Sequence, residues 1–407
     1  MRRWKKVALL LTLLLILSQT PFIYRRYRLG HLHAAIETLR AQRDSAPADD
    51  NFREYKGVIH VHSALGGHST GEPEEIVRAA RANGLDFVVM TEHPSAYIDT
   101  AGATLKGVRE GVLFVNGSEV VAAGGERLFV LPGIPAPLDG ANPSTAQDLV
   151  TRTKADGRLA FVAYPEQVRD WRLQGFDGIE VYNLYTNTKR INYALLFFDG
   201  LWSYGSYPEL LFSTFYEKPD ANLKRWDEIN SSGNNRAVAI AGNDAHSNVG
   251  LSLQEQTGEK IFEIKLDPYE RSFRLVRNHV LLEKGAALDA ETLLSALRLG
   301  HSFISFDLFS DADGFRFTAE SASERRLMGD EIALPEAGGV RLGAATPLKA
   351  RIVFLRDGQV IHEERETRGK ELVVDRRGVY RVEVYLDQLG GRLKERPWII
   401  SNPIYVR

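Results

Sequence analysis

GVIHVHSALGGHST, residues 57–70, decides how the rest of the chain is read. His60, His62 and His68 fall within nine residues, directly after a β-branched run that marks a strand. In a strand, residues two apart share a face, so VIHVH turns His60 and His62 the same way while Val61 faces away. EPEEIVRAARANG follows, with Pro73 and acids in its first turn and Gly84 as its stop, the marks of a crossover helix. Working outward, VIHVH, FVVM, VLFV, LAFVAY, GIEVYN and AVAIAG read as strands, and the alternation of strand and helix from Val58 to about Phe306 predicts an α/β fold with a parallel sheet or barrel. Residues 186 to 236, rich in aromatics and Asn, match no simple unit and read as a long insertion near the site.

Several of these strands end in residues of one chemical kind. LDFVVMTEH closes on Glu92 and His93, VLFVNGSE on Glu119, and AVAIAGNDAH on Asp244 and His246. In a β/α barrel the carboxyl ends of the strands form one face, so imidazoles and carboxylates from residue 60 to residue 246 are expected in one pocket. Taken jointly they point to a metal site; singly, Glu119 or Asp244 reads as a helix cap or a loop ion pair.

Composition narrows the chemistry. The 407 residues contain no cysteine, so disulfides, thiolate metal sites and Cys nucleophiles drop out, and a metal must be held by nitrogen and oxygen. The formal charge of −2 gives no global attraction for nucleic acid, and no nucleic-acid partner is expected. Glycine-rich phosphate loops of the Walker or dinucleotide type are absent from the sequence.

The two ends differ from the middle. Arg2, Arg3, Lys5 and Lys6 precede an uncharged stretch from Val7 to Tyr24, and Arg25, Arg26 and Arg28 follow it. Residues 1–28 are therefore read as an uncleaved signal anchor, with a cleaved signal peptide as the alternative, which puts the remainder outside the cytoplasm. Residues 29–54 read as a helical stem ending in the linker SAPADDN. After Phe306, RIVFLRDGQVIHEE and VYRVEVYL predict a small antiparallel, sandwich-like β domain over 307–407, following a catalytic domain over 55–306.

HVHS, the following ST-G, GLDFVVMTEH, GSE and AGNDAH together resemble the motifs of the PHP (polymerase and histidinol phosphatase) superfamily of metal-dependent hydrolases, over roughly residues 55 to 306. The trailing segment ending PWIISNPIYV resembles the exported, carbaryl-hydrolase-like branch. The resemblance implies a distorted seven-stranded β/α barrel holding Zn, Mn or Fe ions. By motif it implies His60, His62, His93, Glu119, Asp244 and His246 as ligands, Glu119 bridging, with His68 also on a ligand position. One departure matters: Tyr164, in LAFVAYPEQ, stands where the family has a histidine ligand. A phenol of ordinary pKa near 10 is a poor ligand at neutral pH, so one or two ions are expected and Tyr164 is assigned to substrate or a bound water. Glu166, Glu180 and Asn183 are its possible substitutes.

The activity implied is hydrolysis by metal-activated water, with phosphoesters as the leading substrate class and a small or envelope-derived molecule as substrate. His68 and Asp244 are the candidates for proton transfer. Arg169, Lys189, Arg190 and Lys224 are candidates for an anionic substrate, each with a solvated surface role as the plainer reading. Two alternatives stand beside this one: an amide or carbamate hydrolase with the same metal site, and a metal-braced binding module of the cell envelope without catalysis.

Overall fold

A computed structural model describes residues 2–44, 51–135, 144–188, 192–233, 235–248, 250–254, 260–265 and 267–407. The linker expected at 45–51, save Asn51, and the candidates Lys189 and Arg190 lie outside them.

The site-bearing half is a mixed sheet. Its strands are β1 (Phe52–Val61), β2 (Phe87–Met90), β3 (Val112–Val115), β4 (Ser118–Val121), β5 (Arg127–Leu131), β6 (Leu159–Ala163), β7 (Gly178–Asn183) and β8 (Val238–Ala245). β3, β2, β1, β8, β7 and β6 pair in that order, all parallel, and β6 continues antiparallel into β5 and then β4. A parallel bridge from Glu92 to Ser118 joins β4 to the chain just past β2, so the row curls back on itself. Its strands are almost wholly buried and built from Val, Ile, Leu, Phe and Ala, as parallel strands covered on both faces require.

The crossovers form where local signals place them. α2 (Pro73–Ala82) starts with Pro73 in its first turn and ends before Gly84, whose φ of 59° only glycine adopts readily. Its Ile76, Val77, Ala79 and Ala80 are buried against the sheet. α3 (Ala146–Ala155), capped by the Thr145 side chain, precedes β6. The aromatic stretch that fitted no unit divides in two: α4 (Tyr193–Ser203) is extra, whereas α5 (Asp220–Ser231) is the crossover between the parallel neighbours β7 and β8. Aromatic residues hid the helical period there because Trp226 packs fully buried on this helix.

The same sheet runs on into the C-terminal strands. β1 pairs antiparallel with β9 (Arg277–Glu283), β9 with β10 (Ser302–Ser305), and α6 (Ala290–Leu299) lies between these two in sequence. The strands β11 (Arg316–Glu320), β12 (Val340–Arg356), β13 (Gln359–Val374), β14 (Gly378–Tyr385) and β15 (Pro397–Ser401) complete the molecule. β10 pairs with β15, β15 with β14, β14 with β12, and β12 with β11 and β13. No gap in hydrogen bonding therefore marks the change of composition after Phe306. At the other end, α1 (Arg2–Ala41) is one 40-residue helix with Pro21 inside it. Its Leu29, Ile36 and Leu39 are buried in the main core, while Leu9 to Leu17 are exposed.

Candidate metal centre

The carboxyl ends of β1, β2, β6, β7 and β8 converge, and the backbone there is contorted. His60, Tyr164, Asp244 and Ser247 all have φ between 47° and 69°, a region that non-glycine residues rarely occupy. At His60 the strain has a visible result. The pairing of β1 with β2 and with β8 slips between Ile59 and Val61, which is a bulge. Val58 and Val61 consequently share one core cluster while Ile59 belongs to another. His60 and His62 do converge, with ring centres 5.0 Å apart, but through this bulge and not through plain strand alternation.

The donor atoms gather around one point. His60 Nε2 lies 3.1 Å from Glu119 Oε2 and 3.2 Å from Asp244 Oδ1, and His62 Nε2 lies 3.3 Å and 3.6 Å from the same two oxygens. His93 Nε2 is 3.8 Å from Glu119 Oε2. Ligands of a tetrahedral ion bound at about 2.0–2.1 Å are separated by about 3.3 Å, so this spacing suits a shared cation. All are buried or nearly so, yet both ring nitrogens of His62 and Oδ1 of Asp244 make no hydrogen bond among the described residues. Unbonded buried polar atoms cost about 1–3 kcal/mol each, and a cation among them removes that cost. The donors form two overlapping groups, His60–His62–Glu119 and His62–His93–His246. The His62 ring stacks on that of His93, at 4.7 Å, and on that of His246, at 4.5 Å.

A surrounding set of groups fixes these donors. Glu180 Oε1 is 2.6 Å from His60 Nδ1, which leaves Nε2 facing the other donors, an arrangement common to metal-bound imidazoles. His246 Nδ1 is 2.8 Å from the Asp244 carbonyl, which orients that ring likewise. Arg127, at the start of β5, donates to Glu119 Oε1 at 2.6 Å. The Tyr164 hydroxyl donates to Asp244 Oδ2, and Asn183 Nδ2 reaches both Glu180 oxygens at 3.2 Å. Glu92 is not among the donor atoms: it accepts from the Ser63 hydroxyl at 2.6 Å and from Thr104 at 2.8 Å, and so ties the loop after β1 to the chain after β2.

His60 and His62 differ in their electrostatics. Burial disfavours a proton on His60, but Asp244 and Glu180 beside it prevail and raise its pKa well above the ordinary value. Burial pushes the Glu119 carboxyl up, and the hydrogen bond with His60 and the neighbouring His62 imidazole bring it well below its usual range. His62, buried with His60 and His246 beside it, falls to about 3 and stays a neutral imidazole, the form that binds metal. Burial and the Asp244 charge raise the Tyr164 pKa, so this residue is a neutral hydroxyl donor.

Of the residues singled out in the sequence, His60, His62, His93, Glu119, Asp244 and His246 are brought together, and Tyr164 adjoins them. His68 sits outside the two donor groups, exposed, with its ring 4.7 Å from His93. Among the substitutes proposed for the missing histidine, Glu180 and Asn183 are in the centre, whereas Glu166 is exposed and bonds Thr186. Arg169 and Lys224 are exposed. Arg127 was not foreseen: it stands before an ordinary apolar strand, and only the β4–β5 hairpin brings it to Glu119.

No protein-family model matches the chain. An uncharacterized protein of Methanocaldococcus jannaschii is 28% identical over 159 residues, covering 34% of this chain and 86% of its own. Among solved structures, a two-domain protein from Bacteroides vulgatus, described as containing a predicted PHP-like metal-dependent phosphoesterase, aligns over 89% of this chain and 98% of its own. Its identity is 14% and its TM-score 0.38. PsfC from Pseudomonas syringae aligns over 62% of this chain and 92% of its own, at 12% identity and a TM-score of 0.36.

Proposed function

We propose that the chain is a metal-dependent hydrolase of the PHP type that cleaves phosphoesters outside the cytoplasm while α1 anchors it in a membrane. On this reading the curled row from β3 round to β5 is the distorted seven-stranded barrel of that superfamily, and the strands after Phe306 are the added β domain of its carbaryl-hydrolase-like branch. The observation that carries the proposal is the cluster of His and carboxylate atoms lying 3.1–3.8 Å apart, in which both His62 nitrogens and Asp244 Oδ1 have no hydrogen bond among the described residues.

His60, His62, His93, Glu119, Asp244 and His246 are the ligands, His62 being common to the two donor groups, for one or two ions of Zn, Mn or Fe. A bound divalent ion supplies Lewis acidity and a nucleophile at neutral pH. The residues around it do the rest. Glu180 holds the His60 ring, and Tyr164 holds Asp244 by its hydroxyl proton. His68, exposed at the rim, is placed to give a proton to the leaving group. Arg127 favours a phosphoester over an amide, because its guanidinium stays charged, is about one-third exposed, and adjoins Glu119, where it can meet an anionic substrate oxygen.

The test is to strip the full-length protein in detergent with a chelator, reload it with Mn or Zn, and assay p-nitrophenyl phosphate, bis-p-nitrophenyl phosphate and a p-nitrophenyl carbamate. Metal-restored cleavage of a phosphate ester is expected. Cleavage of the carbamate alone supports the amide and carbamate reading, and a metal-loaded protein that cleaves none of them favours the binding module.

A further inference from the structure

We infer that α4 is a second membrane contact: a short apolar helix lying in the lipid headgroup zone beside the point where α1 leaves the bilayer. The inference rests on the anchor reading of α1 and is independent of the hydrolase chemistry. Its basis is a match of depth. Val7 to Tyr24 is 18 uncharged residues, about 27 Å of helix at about 1.5 Å per residue, and a bilayer's hydrocarbon core is about 30 Å thick. With Lys6 at one boundary, residues 24 to 26 lie at the other, and Phe22 and Gln19 lie within about 8 Å inside it, a depth that an interfacial helix reaches.

α4 packs on that same short stretch. Phe198 meets Phe22 with ring centres 5.0 Å apart, Trp202 Nε1 donates to Gln19 at 3.0 Å, and Arg25 pairs with Asp199 at 2.9 Å. Arg26 donates to the Trp202 carbonyl and, at 2.9 Å, to Ser206. These bonds use one face of α4. Phe197 and Leu201, four residues apart and therefore neighbours on another face, are 66% and 69% exposed, and Leu195 is 44% exposed. Beside them on α1, Ile23, Tyr24 and Tyr27 are exposed as well. Aromatic and aliphatic side chains held at the level of a membrane interface are what lipid headgroups and the upper acyl chains accept, and tyrosines there are characteristic. The occupant of this face is thus the lipid surface itself, continuous with the lipid around α1. Two contacts, one spanning and one lying flat, fix the tilt of the folded part against the membrane, which a lone spanning helix does not.

The absence of cysteine makes the test direct, because a single introduced cysteine is the sole labelling site. Phe197→Cys, Leu201→Cys, Leu13→Cys within the span and Val360→Cys on the exposed β13 are each labelled with an environment-sensitive fluorophore. The full-length proteins are then placed in phosphatidylcholine and phosphatidylglycerol vesicles. Relative to position 360, labels at 197 and 201 are expected to be about fivefold less accessible to iodide, and to be quenched by a nitroxide carried high on the acyl chain. If position 13 is protected while 197 and 201 match 360, the inference is overturned and the anchor stands. If position 13 is itself open to iodide, the anchor reading fails and this inference falls with it. Protection at 197 without lipid quenching, accompanied by energy transfer between chains carrying a donor and an acceptor fluorophore there, assigns the face to a second copy and likewise overturns the inference.

Discussion

Glu180 and Gly242 form a unit at the scale of single residues. A Cβ on Gly242 would lie 1.7 Å from Glu180 Oε1 and 3.0 Å from His60 Nδ1, so the glycine of AGNDAH is the space that lets Glu180 reach the histidine. Gly242→Ala is therefore expected to break the His60–Glu180 pair and lower metal affinity. Glu180→Gln keeps the shape and removes the charge, and a loss of about 10–100-fold in metal affinity is expected from a competition titration with a chelator. Unchanged affinity in Glu180→Gln would show that the carboxylate does not orient the ligand. Tyr164→Phe deletes a hydrogen bond to a carboxylate, worth about 1.5–3 kcal/mol. It should retain metal and slow turnover, and a Phe variant that loses its metal would make Tyr164 a ligand. The six ligand candidates were legible because each closes an apolar run with an imidazole or a carboxylate. Glu180 was visible only as a substitute, and the bulge at His60 was not, since nothing in VIHVH distinguishes a slipped register from a regular one.

Among the elements, β1, β9 and the turn before β11 meet in a second charged cluster that the sequence did not reveal, because its members are scattered from Glu54 to Arg316. His279 is fully buried, 2.8 Å from Glu54 by Nδ1 and 3.4 Å from Asp307 by Nε2. Lys56 bonds Asp311 at 2.5 Å and Asp313 at 3.1 Å, Arg316 bonds Glu54, and Arg277 bonds Asp307 at 3.2 Å. These carboxylates have cationic partners, so the cluster is an ionic clasp between the curled row and the C-terminal strands. Burial lowers the His279 pKa, but Asp307 and the hydrogen-bonded Asp313 and Glu54 raise it well above the ordinary value, while Asp307 is held at about 2. The raised histidine contributes stability that is complete below about pH 6.5 and is lost as pH rises through its folded-state pKa. The depressed Asp307 contributes stability present above about pH 4 that is lost as pH falls toward 2. His279→Gln is expected to cost about 3 kcal/mol at pH 5 to 6. That gap, followed by thermal denaturation, should narrow as the pH rises into the alkaline range, and a gap that stays constant contradicts the charged-histidine account. Strands and crossovers in this half were legible from β-branched runs bounded by Gly and Pro. α5 was not, because its buried Trp226 and polar Asn residues blur the helical period.

Over the whole molecule, the exposed apolar part of α1 and the stem that buries Leu29, Ile36 and Leu39 are one helix. The full chain is expected to fractionate with membranes, and recovery of a soluble protein cut after about residue 20 would show a cleaved signal instead. The sequence reading divides an apolar segment from a stem because charge changes at Arg25, although the backbone does not. β10 and β15 pair across the change of composition at Phe306, since hydrogen bonding between strands is blind to which side chains they carry. What the molecule as a whole arranges is the convergence of five strand ends on one cluster of nitrogen and oxygen donors. The most direct test is elemental analysis of the purified full-length protein beside a His60→Ala, His62→Ala double variant whose folding is checked by circular dichroism. One or two divalent ions per wild-type chain, absent from the variant, is the predicted result; a folded variant with undiminished metal content would contradict the account.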